Sequence, residues 1–181
     1  MTVVKILQYP DPRLKRKAYI VEDFGPDFQK VVDDMFDTHY AAKNCAALAA
    51  TQLDIDPPPR VTVIDYSSEH DQPFCLVNAE IIAREGEQNE EEGCMSVGCD
   101  IDIMIHAHVK RSFKITVRGQ DRFGKLLEFT TEGYHAKCIQ HELDHLDGKV
   151  FLDHPSVSDL KRSRLERKLQ KELRRRQGEG G

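Results

Sequence analysis

The sequence predicts an α+β fold, and three observations predict it. Segments rich in β-branched residues cluster between residues 60 and 131, helix-periodic segments lie before and after them, and no regular strand–helix–strand alternation appears. The expectation is antiparallel strands around a central helix, followed by a C-terminal helix. The length of 181 residues suits one core. We expect a catalytic unit over residues 1–155, and a basic helix with a frayed tail over 156–181.

Each element follows from local pattern. Val3 to Leu7 suits a short strand, and Tyr9-Pro10-Asp11-Pro12 is turn chemistry leading into the basic stretch Arg13 to Lys17. From Pro26, the residues Phe28, Val31, Val32, Met35, Phe36 and Tyr40 recur every three or four positions, which predicts an amphipathic helix to about Ala42. Ala46 to Leu53 is small and apolar. Arg60 to Asp65, Phe74 to Ile82, Val109 to Arg118 and Leu126 to Thr131 read as strands, with Asp121-Arg122-Phe123-Gly124 turning between the last two. Gly133 to Leu146 places Ala136, Ile139, Leu143 and Leu146 at helical spacing, and Ser156 to Arg176 does the same with Leu160, Leu165, Leu169 and Leu173.

Composition narrows the class. With 39% apolar and 31% charged residues, the chain has the balance of a globular protein rather than a disordered one. No run approaches the roughly 18 apolar residues of a membrane span, and Met1 to Tyr9 lacks the order of a signal peptide, so the cytoplasm is the expected compartment; the protein is expected to be a monomer. The five cysteines form no CxxC pair, and reduced thiols are expected rather than a disulfide framework. Charge is segregated: Leu160 to Arg176 carries nine Lys/Arg against two Glu, a net +7 in a chain of net −5, which leaves −12 on the remainder. Such a helix is either a solvated face or a surface for a polyanion.

Chemistry concentrates in His141-Glu142-Leu143-Asp144-His145, an HExxH motif inside a predicted helix. Residues four apart share a helix face, so both imidazoles can reach one metal ion while Glu142 contacts a water on it and moves its protons. A hydrolytic site needs a third protein ligand and an open position. Phe151 stands where an HExxHxxGxxH pattern would place a third His; Glu166 lies among Arg164, Arg167 and Lys168; Cys94, flanked by Gly93 and Ser96, offers a soft thiolate suited to Fe(II) or Zn(II).

Three ordered segments now carry a family likeness: Cys45-Ala46-Ala47-Leu48-Ala49-Ala50-Thr51-Gln52, Glu92-Gly93-Cys94-Met95-Ser96 and Gln140-His141-Glu142-Leu143-Asp144-His145. They are similar to the GxGxAAxQ, EGCxS and QHExDH motifs of the peptide deformylases, and the likeness runs from the opening segment to Asp153. The resemblance implies hydrolysis of the formyl group of N-formylmethionyl nascent peptides, with Fe(II) as the native metal and Zn, Ni or Co as substitutes. It assigns Cys94, His141 and His145 to the metal, Glu142 to general base and then acid, and Gln52 with the backbone N–H of Met95 to the formyl oxygen. Ala47 and Leu48 fall in the substrate groove, with a pocket for an unbranched apolar side chain. The resemblance also implies ribosome docking through the 160–176 helix. The chain departs from the family where Cys45 and Ala47 replace glycines, where Val97-Gly98 follows the second motif in place of proline, and where about five extra residues precede Val109-Lys110-Arg111.

Two other readings of the residues stand beside this one. A zinc endopeptidase would use the His pair with Glu166 or another carboxylate, and a ribosome-binding protein could keep the site without turnover. His106 and His108, two apart on one strand face, offer a second metal site but are read as surface or partner-satisfied residues, and Cys138 as a small buried thiol. Cys99, Asp100 and Asp102 fall in the extra segment near Cys94.

Overall fold

Periodicity and pairing together fix the architecture of the computed structural model, which describes residues 1–98, 103 and 105–178. The helices are α1 (Pro26–Ala41), α2 (Gly133–Leu146) and α3 (Asp159–Gly178). The strands are β1 (Ala47–Ala49), β2 (Val61–Ile64), β3 (Phe74–Glu85), β4 (Gln88–Glu92), β5 (Ala107–Arg111), β6 (Lys114–Gln120) and β7 (Leu126–Glu132). Single 3-10 turns cover Pro12–Lys15, Ala50–Gln52 and Phe151–Asp153. One antiparallel sheet has the order β1-β2-β3-β6-β7, and β4 pairs with β5 in a second. The expected α+β class holds.

Two strands differ from expectation. Val3 to Leu7 forms no strand; Ile6 makes a single bridge to Leu53, and the Leu7 amide donates to the Gln52 carbonyl (2.7 Å). Residues 109–118 are not one strand either. The chain turns at Ser112-Phe113, so that β5 pairs with β4 while β6 pairs with β3 and β7. The apolar alternation runs through that break, which is why the sequence reads as continuous. β4 itself, Gln-Asn-Glu-Glu-Glu, carries no apolar pattern at all.

The helix bearing the HExxH motif is held by its other stripe. Ala136, Ile139, Leu143 and Leu146 of α2 pack with Ala47, Ile64, Leu76, Ile115 and Val117 of the large sheet. Each fully buried Leu or Ile contributes on the order of 1.5–3 kcal/mol, so this face anchors α2 firmly. Cys138, His141, Glu142 and His145 follow the same three- and four-residue spacing on the adjoining stripe, and the first three line a cavity. Beyond α2 the backbone turns at Gly148 (φ +76°), where a side chain would run into the Lys15 carbonyl. α1 packs through Phe28, Val32 and Met35 on Leu48, Val61 and Val63. α3 sets Leu169 into the cluster of Leu7, Leu14, Phe151 and Leu152, with Leu165 and Leu173 beside it. Cys99, Asp100, Asp102 and the tail 179–181 lie outside the described residues.

Candidate metal centre

Three donor atoms from two distant segments converge. His141 and His145 project from α2, and Cys94 comes from the segment after β4. Cys94 Sγ lies 3.2 Å from His145 Nε2, which lies 3.1 Å from His141 Nε2, and all three ligand atoms fall within 4.8 Å of one another. All three residues are buried. Among the described residues this is the group of ligating side chains able to hold a metal ion.

The donor set fits a divalent ion on its own chemistry. The His141 Nδ1–H donates to Glu92 Oε2 (2.9 Å), because a carboxylate can only accept, and this leaves Nε2 as the nitrogen that faces His145 and Cys94 and would give up its proton to a metal ion. Burial, with His141 and Arg111 nearby, holds the His145 pKa well below its usual value, so its imidazole is a neutral donor. Burial alone would also lower His141, yet Cys94 and Glu92 outweigh it and pull its pKa well above normal. The same anionic field that retains a proton there favours a cation between the three donors. A thiolate with two imidazoles suits Fe(II), Zn(II) and the neighbouring divalent ions alike.

Glu92 is the hinge of this support. The Arg111 guanidinium donates to it twice, Nε to Oε1 (2.8 Å) and Nη2 to Oε2 (3.0 Å), and Arg111 Nη1 reaches Asp144 Oδ2 (2.5 Å). Burial would push the Glu92 carboxyl up, but the bonds from His141 and Arg111 hold it down at about 2. The Glu92 and Arg111 side chains are 3% and 4% exposed, so breaking the pair strands a buried charge. We expect Glu92→Ala to lower the unfolding free energy of the metal-free protein by about 3–5 kcal/mol and to weaken metal binding by about 10- to 100-fold. Urea titration and metal competition measure the two effects. Neither Glu92 nor Arg111 carried a sequence signal for this role, because their meeting depends on β4–β5 pairing across a long loop.

The remaining groups surround the triad. Gln52 is 1% exposed; its Oε1 accepts from the Ala49 amide (2.9 Å), which turns Nε2 toward Cys94 Sγ (3.6 Å) and Ser96 Oγ (3.2 Å). The amide orientation is thus set as a donor facing the centre. The Ala50–Gln52 turn is pinned from both sides, by Leu7 N to Gln52 O and by Thr51 Oγ1 to the His145 carbonyl (2.7 Å). Met95 lines the cavity, and its carbonyl accepts from Gln8 Nε2 (2.9 Å). Glu142 is buried with Oε2 unpartnered among the described residues, and burial pushes its carboxyl up to about 7.

These groups border one cavity of about 660 Å³. Ala47 lines it. Leu48 does not: strand alternation turns its side chain, fully buried, onto α1. Cys138, expected as a buried thiol, is half-buried and lines the cavity together with Tyr134 and Lys137. Burial raises its pKa, so it remains a thiol. Glu166, on α3, is outside the triad and accepts from the Tyr9 hydroxyl (2.6 Å).

The comparisons with known proteins now bear on this geometry. The family model described as polypeptide deformylase matches residues 3–163. The chain belongs to that family. It is 60% identical over 171 residues to peptide deformylase 1 of Coxiella burnetii, covering 94% of this chain and 96% of that protein. It is 46% identical over 178 residues to the peptide deformylase of Xylella fastidiosa strain M12, covering 97% and 99%. A crystal structure of a peptide deformylase from Legionella pneumophila superposes with a TM-score of 0.85 at 41% identity, over 98% of each chain. That of the Ehrlichia chaffeensis deformylase in complex with actinonin gives 0.82 at 31% identity, over 94% of this chain and 98% of that one. A deformylase is a metal-dependent hydrolase, and the Cys94, His141 and His145 arrangement supplies a site of that kind.

Proposed function

We propose that this deformylase removes the formyl group of N-formylmethionyl peptides at the Cys94–His141–His145 centre. One observation carries the reading: Cys94, His141, Gln52 and Glu142 line one cavity, Glu142 Oε2 is unpartnered among the described residues, and the His145 ligand atom lies within 4.8 Å of those of Cys94 and His141. Bound there, a divalent ion supplies Lewis acidity that polarises a carbonyl and acidifies water. Fe(II) is the native ion in this reading, with Zn, Ni or Co able to replace it.

The chain's own residues do the rest. Cys94, His141 and His145 hold the ion, with Glu92 and Arg111 fixing the His141 ring. The Gln52 Nε2–H and the Met95 N–H donate to the formyl oxygen as it gains charge in the transition state. Gln52 can do so without competing as a ligand or base. The Glu142 carboxylate takes a proton from the attacking water and passes it to the leaving amine, which cannot depart as an amide anion. Ala47 borders the peptide, and the cavity receives the methionine side chain.

The experiment is turnover of formyl-Met-Ala-Ser by anaerobically prepared, iron-loaded protein, read as release of formate and a free amine. Formate release is expected, with no cleavage between Ala and Ser. Gln52→Leu is expected to lower kcat by about 10²- to 10³-fold, the scale of one lost oxyanion donor, at unchanged metal content. Protein that holds iron but releases no formate would instead support a ribosome-binding role without turnover.

The protein in this reading works as a cytoplasmic monomer, with residues 1–155 as the catalytic unit and 156–181 as its docking arm. No helix of the described residues is long and apolar enough to cross a membrane. α3 buries Leu169 and leaves most of its Lys and Arg side chains at the surface. That basic face supports docking on ribosomal RNA near the emerging substrate. Replacing Lys161, Arg164, Lys168 and Lys171 with Glu is expected to abolish co-sedimentation with ribosomes at low salt, while kcat/KM on the tripeptide stays within about twofold. Unchanged co-sedimentation would make the helix a solvated face and nothing more.

A further inference from the structure

One polar group on the cavity wall has no part in the chemistry above. His106 lies just before β5, is half-buried, and lines the cavity, whereas His108 points outward from the strand. A Cβ added to Gly93 would come within 2.8 Å of both His106 Cδ2 and Nε2, so the imidazole occupies space that only glycine leaves open. Gly93 directly precedes Cys94, which places the ring within about 8 Å of the Cys94 Cα. No hydrogen bond or ion pair to His106 is present among the described residues.

Lys137 lines the same cavity. Lys137 Nζ donates to the Glu91 carbonyl (3.1 Å) and sits over the Tyr134 ring (5.2 Å), so that cation is already engaged. His106 is left with a ring nitrogen to offer. A peptide bound with its formyl carbon at the triad extends about 3.3–3.6 Å per residue, which brings the residue after the formylated one to the distance of His106. Imidazole can donate to a main-chain carbonyl or accept from an amide, and so reads backbone rather than side chain.

We infer that His106 is a specificity-determining residue that hydrogen-bonds the main chain of the substrate's second residue, so that the site distinguishes a formylated peptide from formylated methionine alone. The inference rests on the deformylase reading above. In iron-loaded protein, His106→Ala is expected to lower kcat/KM for formyl-Met-Ala-Ser by about three- to tenfold, mainly through KM, the scale of one net hydrogen bond. For N-formylmethionine amide, which lacks the second residue, the change is expected to stay below about twofold. His106→Gln, which keeps a donor and an acceptor, restores most of the tripeptide rate. Calorimetric binding of the product Met-Ala-Ser should weaken by the same factor as kcat/KM. Equal losses on both substrates, or no loss on either, would overturn the inference. Wild-type protein that turns over neither substrate contradicts the deformylase reading and takes this inference with it.

Discussion

Cys94→Ala protein is expected to fold and to lose its metal. Cys94 is one of three converging donors, and its thiolate is the anionic one. A structural four-ligand zinc site is worth about 10–16 kcal/mol, so one ligand in four accounts for a factor of about 10²–10³ in affinity. Equilibrium dialysis against a competing chelator should show that drop, and deformylation should fall with occupancy. The fold has no comparable stake in the sulfur: α2 is anchored through Ile139, Leu143 and Leu146 on the sheet, whose packing the substitution leaves alone. Circular dichroism should therefore be unchanged. An endopeptidase built on the His pair with Glu166 predicts the opposite, full metal retention in Cys94→Ala. The bond from the Tyr9 hydroxyl to Glu166 already argues against that arrangement.

Glu142→Gln separates binding from proton transfer. The substitution keeps the shape of the side chain and leaves Cys94, His141 and His145 in place, so one metal ion per chain is still expected. What disappears is the group that accepts and returns a proton, and general acid–base catalysis of this kind contributes about 10²–10⁴ in rate. A kcat reduced by that factor, with KM altered by less than about tenfold, is the expected outcome. A loss below tenfold would mean that another group moves the proton. Burial of Glu142 with one oxygen unpartnered argues that the residue is held there at a cost to stability, a cost that a purely structural carboxylate would not retain.

How much of this was legible in the sequence follows from the range of each interaction. The HExxH pair declares itself because i, i+4 geometry is local, and α2 forms over the residues that the apolar spacing marks. Cys94 is legible as one candidate third ligand from its thiolate and its small neighbours, whereas Gln52 is legible only through motif likeness, since nothing near it in sequence says that it faces the sulfur. That fact comes from the Ala49 amide turning the side chain. Glu92 and Arg111 were visible as motif residues but silent as partners, because β4 has no apolar alternation and its pairing with β5 spans a long connection. The split of residues 109–118 into β5 and β6 was hidden for the converse reason: alternation persists across a turn that contains neither Gly nor Pro. Leu48 looked like a groove residue because it lies in the motif, but strand alternation sends its side chain into the core and leaves Ala47 at the cavity. His106 reads in the sequence as a surface residue paired with His108, and its place on the cavity wall was hidden because it depends on the missing side chain of Gly93, thirteen residues earlier.

X-ray absorption spectroscopy of zinc-substituted protein reads the coordination shell directly. One sulfur near 2.3 Å, two imidazole nitrogens near 2.0–2.1 Å and one further light atom from solvent are expected. A shell without sulfur, or one closed by a fourth protein side chain, would contradict a hydrolytic centre made by Cys94, His141 and His145.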